Sequence, residues 1–214
     1  CSNRSSWLYF CSEKIKNNSL VVRQIAGYLL FGWRYRLRVS GIENLPKHGP
    51  VLLLGNHISY IDFALIQWAT PRTIRFVVHD DYYSKPIFNW ILRAVGAVSI
   101  RPENSRNAMQ SIVSLLNDDC VVGIFPEGHI SITGELSNLK RGFEKILSES
   151  KDSVVVVPFA VNDMWGSFFS KAPRSIKKKK KFIFRREVNI SIGKRLASNT
   201  TRSEVKKSIG SLLF

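Results

Sequence analysis

Short apolar runs alternate with longer amphipathic stretches along most of this chain. A run such as Val51-Leu52-Leu53-Leu54 is typical of a strand buried inside a sheet. Strands are predicted at residues 35–40, 51–54, 73–78, 97–100, 121–125, 153–158 and 182–192, the last as a long strand or a hairpin. Helices are predicted at 20–33, 60–68, 85–93, 105–116, 140–148 and 203–212.

Alternating strands and helices indicate an α/β fold. The 214 residues, 44% of them hydrophobic and 22% charged, are enough for a globular domain with its own core. We therefore predict one domain at residues 35–214, built on a single mixed sheet flanked by helices. Its first strand, 35–40, alternates in polarity as an edge strand does. An N-terminal apolar helical segment, residues 1–34, precedes it.

The N-terminal segment combines dense aromatic and aliphatic residues with basic ones. This pattern fits a helix lying in lipid headgroups, a helical hairpin packed over the sheet, or a contact with a neighbouring domain. No uninterrupted apolar stretch reaches the roughly 18 to 20 residues of a spanning helix, so the sequence predicts no membrane crossing. Because the chain opens with Cys1 rather than Met, we expect it to be a piece of a longer protein.

A net charge of +16 is the strongest compositional feature. Nine of the sixteen residues in 171–186 are Lys or Arg, including the uninterrupted run Lys177, Lys178, Lys179, Lys180 and Lys181. Such a cluster fits nucleic acid, an anionic membrane leaflet, an acidic protein partner, or a solvated loop between strands. The cluster alone does not decide between these partners.

Candidate chemistry appears where the strand 51–54 ends. His57 and Asp62 lie five residues apart, at the predicted strand end and in the predicted helix that follows. A carboxylate that holds an imidazole creates a general base for removing a proton from a hydroxyl. A helix start with a polar cap is the simpler alternative. A second motif, Phe125-Pro126-Glu127-Gly128, also directly follows a predicted strand and favours the catalytic interpretation.

Several other classes lack their sequence signals. There is no Gly-x-Ser-x-Gly elbow of a serine hydrolase and no glycine-rich nucleotide-binding loop. The four histidines are not spaced as metal ligands, so no metal site is predicted. A nucleic-acid-binding module would leave His57, Asp62 and Glu127 without a purpose and lacks a recognised motif, so we expect no nucleic acid partner. A degenerate membrane-docking domain is disfavoured by the intact His57 and Asp62.

Four motifs in order resemble those of the glycerolipid acyltransferase family, which includes 1-acylglycerol-3-phosphate acyltransferase. The likeness spans roughly residues 36–195. The motifs are Asn56-His57-x-x-x-x-Asp62, Gly96-Ala97-Val98-Ser99-Ile100-Arg101, Phe125-Pro126-Glu127-Gly128 and Val157-Pro158-Phe159. The resemblance implies a glycerol-3-phosphate acyltransferase-like fold.

The same resemblance implies direct transfer of a fatty acyl chain from a thioester to a lysolipid hydroxyl. His57 would be the general base and Asp62 would orient it. Acyl-carrier protein or acyl-coenzyme A would be the donor, with no bound cofactor. Substrate binding is expected at Arg101, Glu127, Gly128, His129 and Lys140. His129 either contacts the phosphate or only fills space.

One departure from the family pattern bears on the acceptor. Many relatives that use lysophosphatidate carry an arginine two residues after the Phe-Pro-Glu-Gly motif, where this chain has Ile130. The pattern is closer to the acyltransferase domain of bacterial 2-acylglycerophosphoethanolamine acyltransferases, often fused to a lysophospholipid transporter or an acyl-carrier-protein synthetase. We therefore expect a lysophosphatidylethanolamine-like acceptor, with lysophosphatidate as the alternative.

The resemblance and the charge together suggest a location. We expect the protein at the cytoplasmic face of a membrane, the inner membrane if it is bacterial, either peripheral or as a domain of a membrane protein. The lysine run would contact the anionic leaflet. An acidic acyl-carrier protein is a further expected partner.

Overall fold

The computed structural model describes residues 27–79, 98–100, 105–179 and 185–213. Within these ranges the strands are β1 Tyr35–Ser40, β2 Val51–Gly55, β3 Ile74–His79, β4 Val98–Ile100, β5 Val121–Ile124, β6 Val155–Asn162 and β7 Arg186–Ile192. The α-helices are α1 Asp62–Ala69, α2 Ser105–Asn117, α3 Gly142–Glu149, α4 Arg174–Lys179 and α5 Arg202–Gly210. A π-helical turn at Tyr28–Gly32 and a 3-10 turn at Ile42–Asn44 complete the described elements.

All seven described strands belong to one mixed sheet in the order β1-β7-β6-β2-β5-β3-β4. Every neighbouring pair is parallel except β6 and β7. The carboxyl ends of β2, β5 and β6 therefore meet at one edge of the sheet. Since β7 and β1 run the opposite way, their first residues lie at that same edge. This edge collects the segments that follow Gly55, Ile124 and Asn162.

The sheet is buried on both faces, which explains the uniformly apolar run in β2. Val51 and Leu53 belong to one apolar cluster, which includes side chains of α1. Leu52 and Leu54 belong to the other, which is built with side chains of α2, α3 and α5. All four side chains of β2 are fully buried. The central strand is thus held between two packed layers, and its end is a rigid support for the residues that follow.

The predicted fold class is confirmed, with a single mixed sheet flanked by helices. The strand predicted at 35–40 lies at the sheet edge as expected. The strand predicted at 182–192 is one strand, Arg186–Ile192, in its described part. The helix predicted at 85–93 lies outside the described residues. So do residues 1–26, and the domain boundary predicted at residue 34 stays a prediction.

Three differences from the sequence predictions concern particular contacts. Strand β6 continues beyond Pro158 to Asn162, because its second half pairs with β7. Pro158 has no N–H to donate, and its carbonyl accepts from Gly193 N at 2.8 Å. Helix α3 begins at Gly142 rather than 140, and the Lys140 N–H donates to Pro126 O at 2.7 Å, in the turn after β5.

The third difference is α4. Part of the basic cluster, Arg174–Lys179, forms a short helix that the sequence patterns did not predict. Ile176 N and Lys177 N both donate to Pro173 O at 3.1 Å, so the helix starts directly after that proline. Across the described residues no helix has the length and apolarity needed to cross a membrane.

We expect Gly55→Ala to destabilise the fold. A Cβ at Gly55 would lie 2.4 Å from ring atoms of Phe159, so the ring would have to move. Overpacking of this kind costs about 1 to 3 kcal/mol in the free energy of unfolding. Urea denaturation measures the loss. Gly142→Ala is the matched control, because a Cβ there meets nothing within 4 Å and should leave stability unchanged or slightly higher. Equal midpoints for the two variants would contradict the packing.

Candidate active site

His57 and Asp62 form a hydrogen-bonded pair at the carboxyl end of β2. His57 follows the strand by two residues, and Asp62 is the first residue of α1. The His57 Nδ1 to Asp62 Oδ2 distance is 2.9 Å. The Asp62 side chain is wholly buried and that of His57 is 18% exposed. The structure therefore brings together the two residues that the sequence singled out and leaves the imidazole partly accessible.

The Asp62 carboxylate also organises the turn between them. Its Oδ2 accepts from Ile58 N and Ser59 N, both at 2.8 Å. Its Oδ1 accepts from the Ser59 hydroxyl. Because an ionised carboxylate only accepts, His57 Nδ1 carries the proton in this pair, and Nε2 is the nitrogen with a free lone pair. The turn that leads into α1 and the His57–Asp62 pair are thus held by the same carboxylate.

The imidazole face is supported by an aromatic ring. His57 stacks on Phe125 with a centroid distance of 4.1 Å and an interplanar angle of 12°. The ring of Phe125 in turn packs against those of Phe76 and Phe159, with a centroid distance of 5.9 Å in each pair. Phe159 also fills the space beside Gly55. The ring of His57 is therefore held on one face as well as at Nδ1.

Glu127 supports the backbone of His57. The Glu127 side chain is buried, and its Oε1 accepts from His57 N at 2.8 Å. Its Oε2 accepts from Ser137 N at 2.9 Å and from Ser137 Oγ at 2.6 Å. His57 O accepts from Ser131 N at 2.7 Å. Both carboxylate oxygens are thus engaged by protein donors, and Glu127 acts on the site through His57.

Asn56 joins β2 to β6. Its side-chain amide donates to Val161 O at 3.0 Å and accepts from Val161 N at 2.8 Å. This pair of bonds replaces a strand ladder where β2 has already ended. Sequence reasoning identified Asn56 only as part of a motif and assigned no role to Phe125 or Ser137. Only their positions could have pointed to them: Phe125 directly follows β5, and Ser137 lies ten residues after Glu127.

The turn after β5 carries the remaining predicted substrate-binding residues. Gly128 has a φ of +72°, and a Cβ there would lie 2.5 Å from Lys140 Nζ. The Lys140 amine therefore rests against the Gly128 backbone. His129 is exposed, with Nδ1 3.0 Å from Glu127 O, while Ile130 is buried. Two cationic or titratable side chains thus flank this turn.

Arg101 lies outside the described residues, so its predicted role stays a prediction. The substrate contacts expected of Glu127, Gly128, His129 and Lys140 also stay predictions. Within the described parts of the chain, no group of three or more His, Cys, Asp or Glu side chains is placed to hold a metal ion.

The family model described as Acyltransferase matches residues 36–162, more than half of the 214 residues. The chain belongs to the acyltransferase family. The predicted resemblance to glycerolipid acyltransferases is thereby confirmed. The closer likeness to domains of transporter or synthetase fusion proteins stays a prediction.

Two relatives illustrate the range of names in this acyltransferase family. A 1-acyl-sn-glycerol-3-phosphate acyltransferase of Borreliella burgdorferi is 24% identical over 125 residues, which are 57% of this chain and 50% of the relative. A lyso-ornithine lipid O-acyltransferase of Rhizobium meliloti is 31% identical over 108 residues, 49% of this chain and 36% of the relative. The aligned region spans half or less of these relatives.

The fold is also that of a solved acyltransferase. The crystal structure of the 1-acyl-sn-glycerophosphate (LPA) acyltransferase PlsC from Thermotoga maritima superposes with a TM-score of 0.74. The match covers 94% of this chain and 80% of that protein at 20% sequence identity. At this identity the likeness concerns the fold.

We expect Glu127→Gln to destabilise the fold at the segment that holds His57. A glutamine cannot accept at both ends, so its amide would face either the His57 N–H or the Ser137 donors. Leaving a buried donor without an acceptor costs about 1 to 3 kcal/mol, measurable as a lower urea midpoint. Glu135→Gln is the control, because Glu135 is exposed and its change should stay within about 0.5 kcal/mol. Equal stability of both variants would contradict the role given to Glu127.

Proposed function

We propose that this chain transfers a fatty acyl group from an acyl thioester to the free glycerol hydroxyl of a lysophospholipid. The observation that carries the proposal is the 2.9 Å His57–Asp62 pair, with Nε2 left to face a substrate. Membership of the acyltransferase family supports it, as do the names of the relatives. According to their names, the Borreliella burgdorferi and Rhizobium meliloti relatives both transfer an acyl group to a lysolipid.

In the first step His57 Nε2 takes the proton from the acceptor hydroxyl as that oxygen attacks the thioester carbonyl carbon. A C–O bond forms, and the carbonyl oxygen gains negative charge in a tetrahedral intermediate. Asp62 stabilises the imidazolium and keeps Nδ1 as the donor to Oδ2. Acid–base help of this kind contributes about 10²- to 10⁴-fold, so positioning of both substrates must supply the rest.

In the second step the intermediate collapses and the C–S bond breaks. The leaving sulfur takes the proton from the imidazolium, which restores neutral His57. The products are a diacyl phospholipid and a free thiol. No acyl-enzyme is required, and the hydroxyl of Ser59 is committed to Asp62. The thiol carrier is either acyl-carrier protein or coenzyme A, and no resident cofactor takes part.

For the acceptor we favour a phosphodiester headgroup such as phosphoethanolamine. The buried Ile130 supports this choice, because it stands where many lysophosphatidate-using relatives have an arginine for the phosphate monoester. His129 and Lys140 remain beside Gly128, and Arg101 would add a second cation. Lysophosphatidate is the alternative, supported by the name of the Borreliella burgdorferi relative.

We also propose that the chain works at the cytoplasmic face of a membrane. The run Lys177 to Lys181 supports contact with an anionic leaflet, since each basic residue near such a surface adds about 1 kcal/mol of attraction. The same charge would attract an acidic acyl-carrier protein. Fused transporter or acyl-synthetase domains remain proposed partners, because the residues that follow Gly128 resemble those of such fusion proteins.

His57→Ala should lower kcat for acyl transfer by about 10²- to 10⁴-fold without unfolding the chain, because it removes the base. Asp62→Asn should also lose activity, since an amide offers one acceptor to the four donors that Asp62 now serves. Thiol release from an acyl thioester in the presence of lysolipid gives the rate, and circular dichroism gives the folded fraction.

His48→Ala is the matched histidine control, since His48 is exposed and precedes β2, at the opposite end of that strand from His57. It should retain full activity. Undiminished turnover by folded His57→Ala would contradict the proposed function.

Lysolipids that differ only in headgroup should separate the two acceptors. We expect kcat/KM for lysophosphatidylethanolamine to exceed that for lysophosphatidate at least tenfold. Ile130→Arg should lower the ratio of the two kcat/KM values by adding a cation near the phosphate, and circular dichroism gives its folded fraction. A wild-type preference for lysophosphatidate would favour the alternative acceptor and leave the acyl-transfer proposal standing.

A further inference from the structure

A second cavity opens at the same edge of the sheet as His57. Its volume is about 470 Å³, and it is lined by the chain entering β1, the first residue of β7, the loop after β6 and helix α4. In the strand order it lies beyond β6, on the β7 and β1 side of β2. Gly128 and Lys140 follow β5, on the other side. The cavity is therefore distinct from the proposed glycerol-phosphate site.

The cavity nevertheless adjoins the catalytic turn. Phe169, one of its walls, accepts a hydrogen bond through its carbonyl from Tyr60 N at 2.9 Å. Ser59 and Ser170 form an antiparallel bridge beside it. A molecule in this cavity would lie next to the segment that joins His57 to Asp62.

The charge of the lining is entirely positive. Four of the lining side chains are cations, Arg34, Arg174, Lys177 and Arg186. None of the lining residues that the structure describes is Asp or Glu. Such a site is complementary to an anion, and arginine suits the oxygens of a phosphate.

Two lining residues hold polar atoms that find no partner within the described part of the chain. They are Ser167 Oγ and Arg186 Nε, in side chains that are only 3% and 4% exposed. Arg186 Nη1 donates to Asp163 O at 2.6 Å, which fixes the guanidinium in place. Burial lowers the pKa of Arg186, so an anion beside it would favour its charged form. Unpaired buried donors are costly and call for a ligand.

The mouth of the cavity combines aromatic and basic groups. Phe168 is 82% exposed and Trp33 is 66% exposed, although both are large apolar side chains. Lys177 Nζ donates to Phe168 O at 3.2 Å and so links α4 to this aromatic mouth. Exposed aromatics beside cations are typical of surfaces that rest in lipid headgroups.

We propose that this cavity binds the phosphate-bearing headgroup of one anionic phospholipid of the bilayer. The phosphate lies toward Arg186 and Ser167, α4 supplies further charge, and Phe168 and Trp33 contact the acyl region. The lipid is a docking ligand and undergoes no reaction. This inference deepens the proposed membrane attachment and rests on it, and it adds a defined site to a surface that the lysine run alone would leave unspecific.

Ser167→Ala is the sharpest test. It removes an unpaired buried hydroxyl, so the melting temperature should stay equal or rise. Binding of monomeric short-chain phosphatidylglycerol to the full chain, measured calorimetrically without any acyl donor, should weaken about tenfold. One lipid should bind per chain before the change. Unaltered affinity would overturn the contact with Ser167.

A charge-matched pair of variants tests the mouth. Arg174→Gln/Lys177→Gln should weaken binding to vesicles containing phosphatidylglycerol by about 10- to 30-fold, since each cation near the surface adds roughly fivefold. Lys47→Gln/Lys207→Gln removes the same charge from other exposed positions and should weaken it far less. Equal losses of vesicle binding in the two double variants would mean that the attraction is unspecific, and would overturn the proposed lipid site in the cavity.

Three further results decide the source and the independence of the site. Vesicles of phosphatidylcholine alone should bind weakly. Inorganic phosphate should not match the short-chain lipid at equal concentration, and if it did, a bilayer source would be wrong. No saturable lipid binding at all would mean that another part of the chain or a second copy fills the cavity. His57→Ala should keep full lipid binding, so failure of acyl transfer and failure of this site are distinguishable.

Discussion

The orientation of His57 depends on one buried carboxylate. Asp62 accepts hydrogen bonds from two backbone N–H groups of the turn that precedes it, from the Ser59 hydroxyl and from the imidazole. Since all of these partners must donate, the proton of the neutral ring is fixed at Nδ1. The spacing of five residues between His57 and Asp62 is what allows a single turn to close this set of bonds. The chemistry proposed for Nε2 follows from that closure.

A second carboxylate supports the same residue from the opposite direction. Glu127 holds the His57 N–H, Ser131 holds its carbonyl, and Phe125 covers one face of its ring. His57 is therefore restrained at its backbone, ring face and Nδ1, while 18% of its side chain stays accessible. Restraint of this kind is how a scaffold supplies the positioning that acid–base catalysis alone does not. The neighbouring cationic cavity would bring the bilayer to the same edge.

Much of the fold could be predicted because buried strands appear in the sequence as short apolar runs. The proximity of His57 and Asp62 could be predicted because only a short turn separates them after a strand end. Sequence patterns could not show which way Glu127 points, since a buried carboxylate that supports the backbone has the same letter as one that binds substrate. They placed the end of β6 at Pro158, although pairing with β7 carries the strand further. Helix α4 could not be predicted because its short, mostly basic sequence shows no apolar periodicity. Arg101 lies outside the described residues.

The control that Asp62 exerts on the imidazole can be measured as the tautomer of His57. Nitrogen-15 NMR of the protein with labelled histidine side chains reports which ring nitrogen carries the proton, at a pH where the ring is neutral. We expect a protonated, hydrogen-bonded Nδ1 and an unprotonated Nε2 for His57, and loss of that preference in Asp62→Asn. A His57 ring protonated at Nε2 in the unsubstituted chain, or one that exchanges freely between the two tautomers, would contradict it.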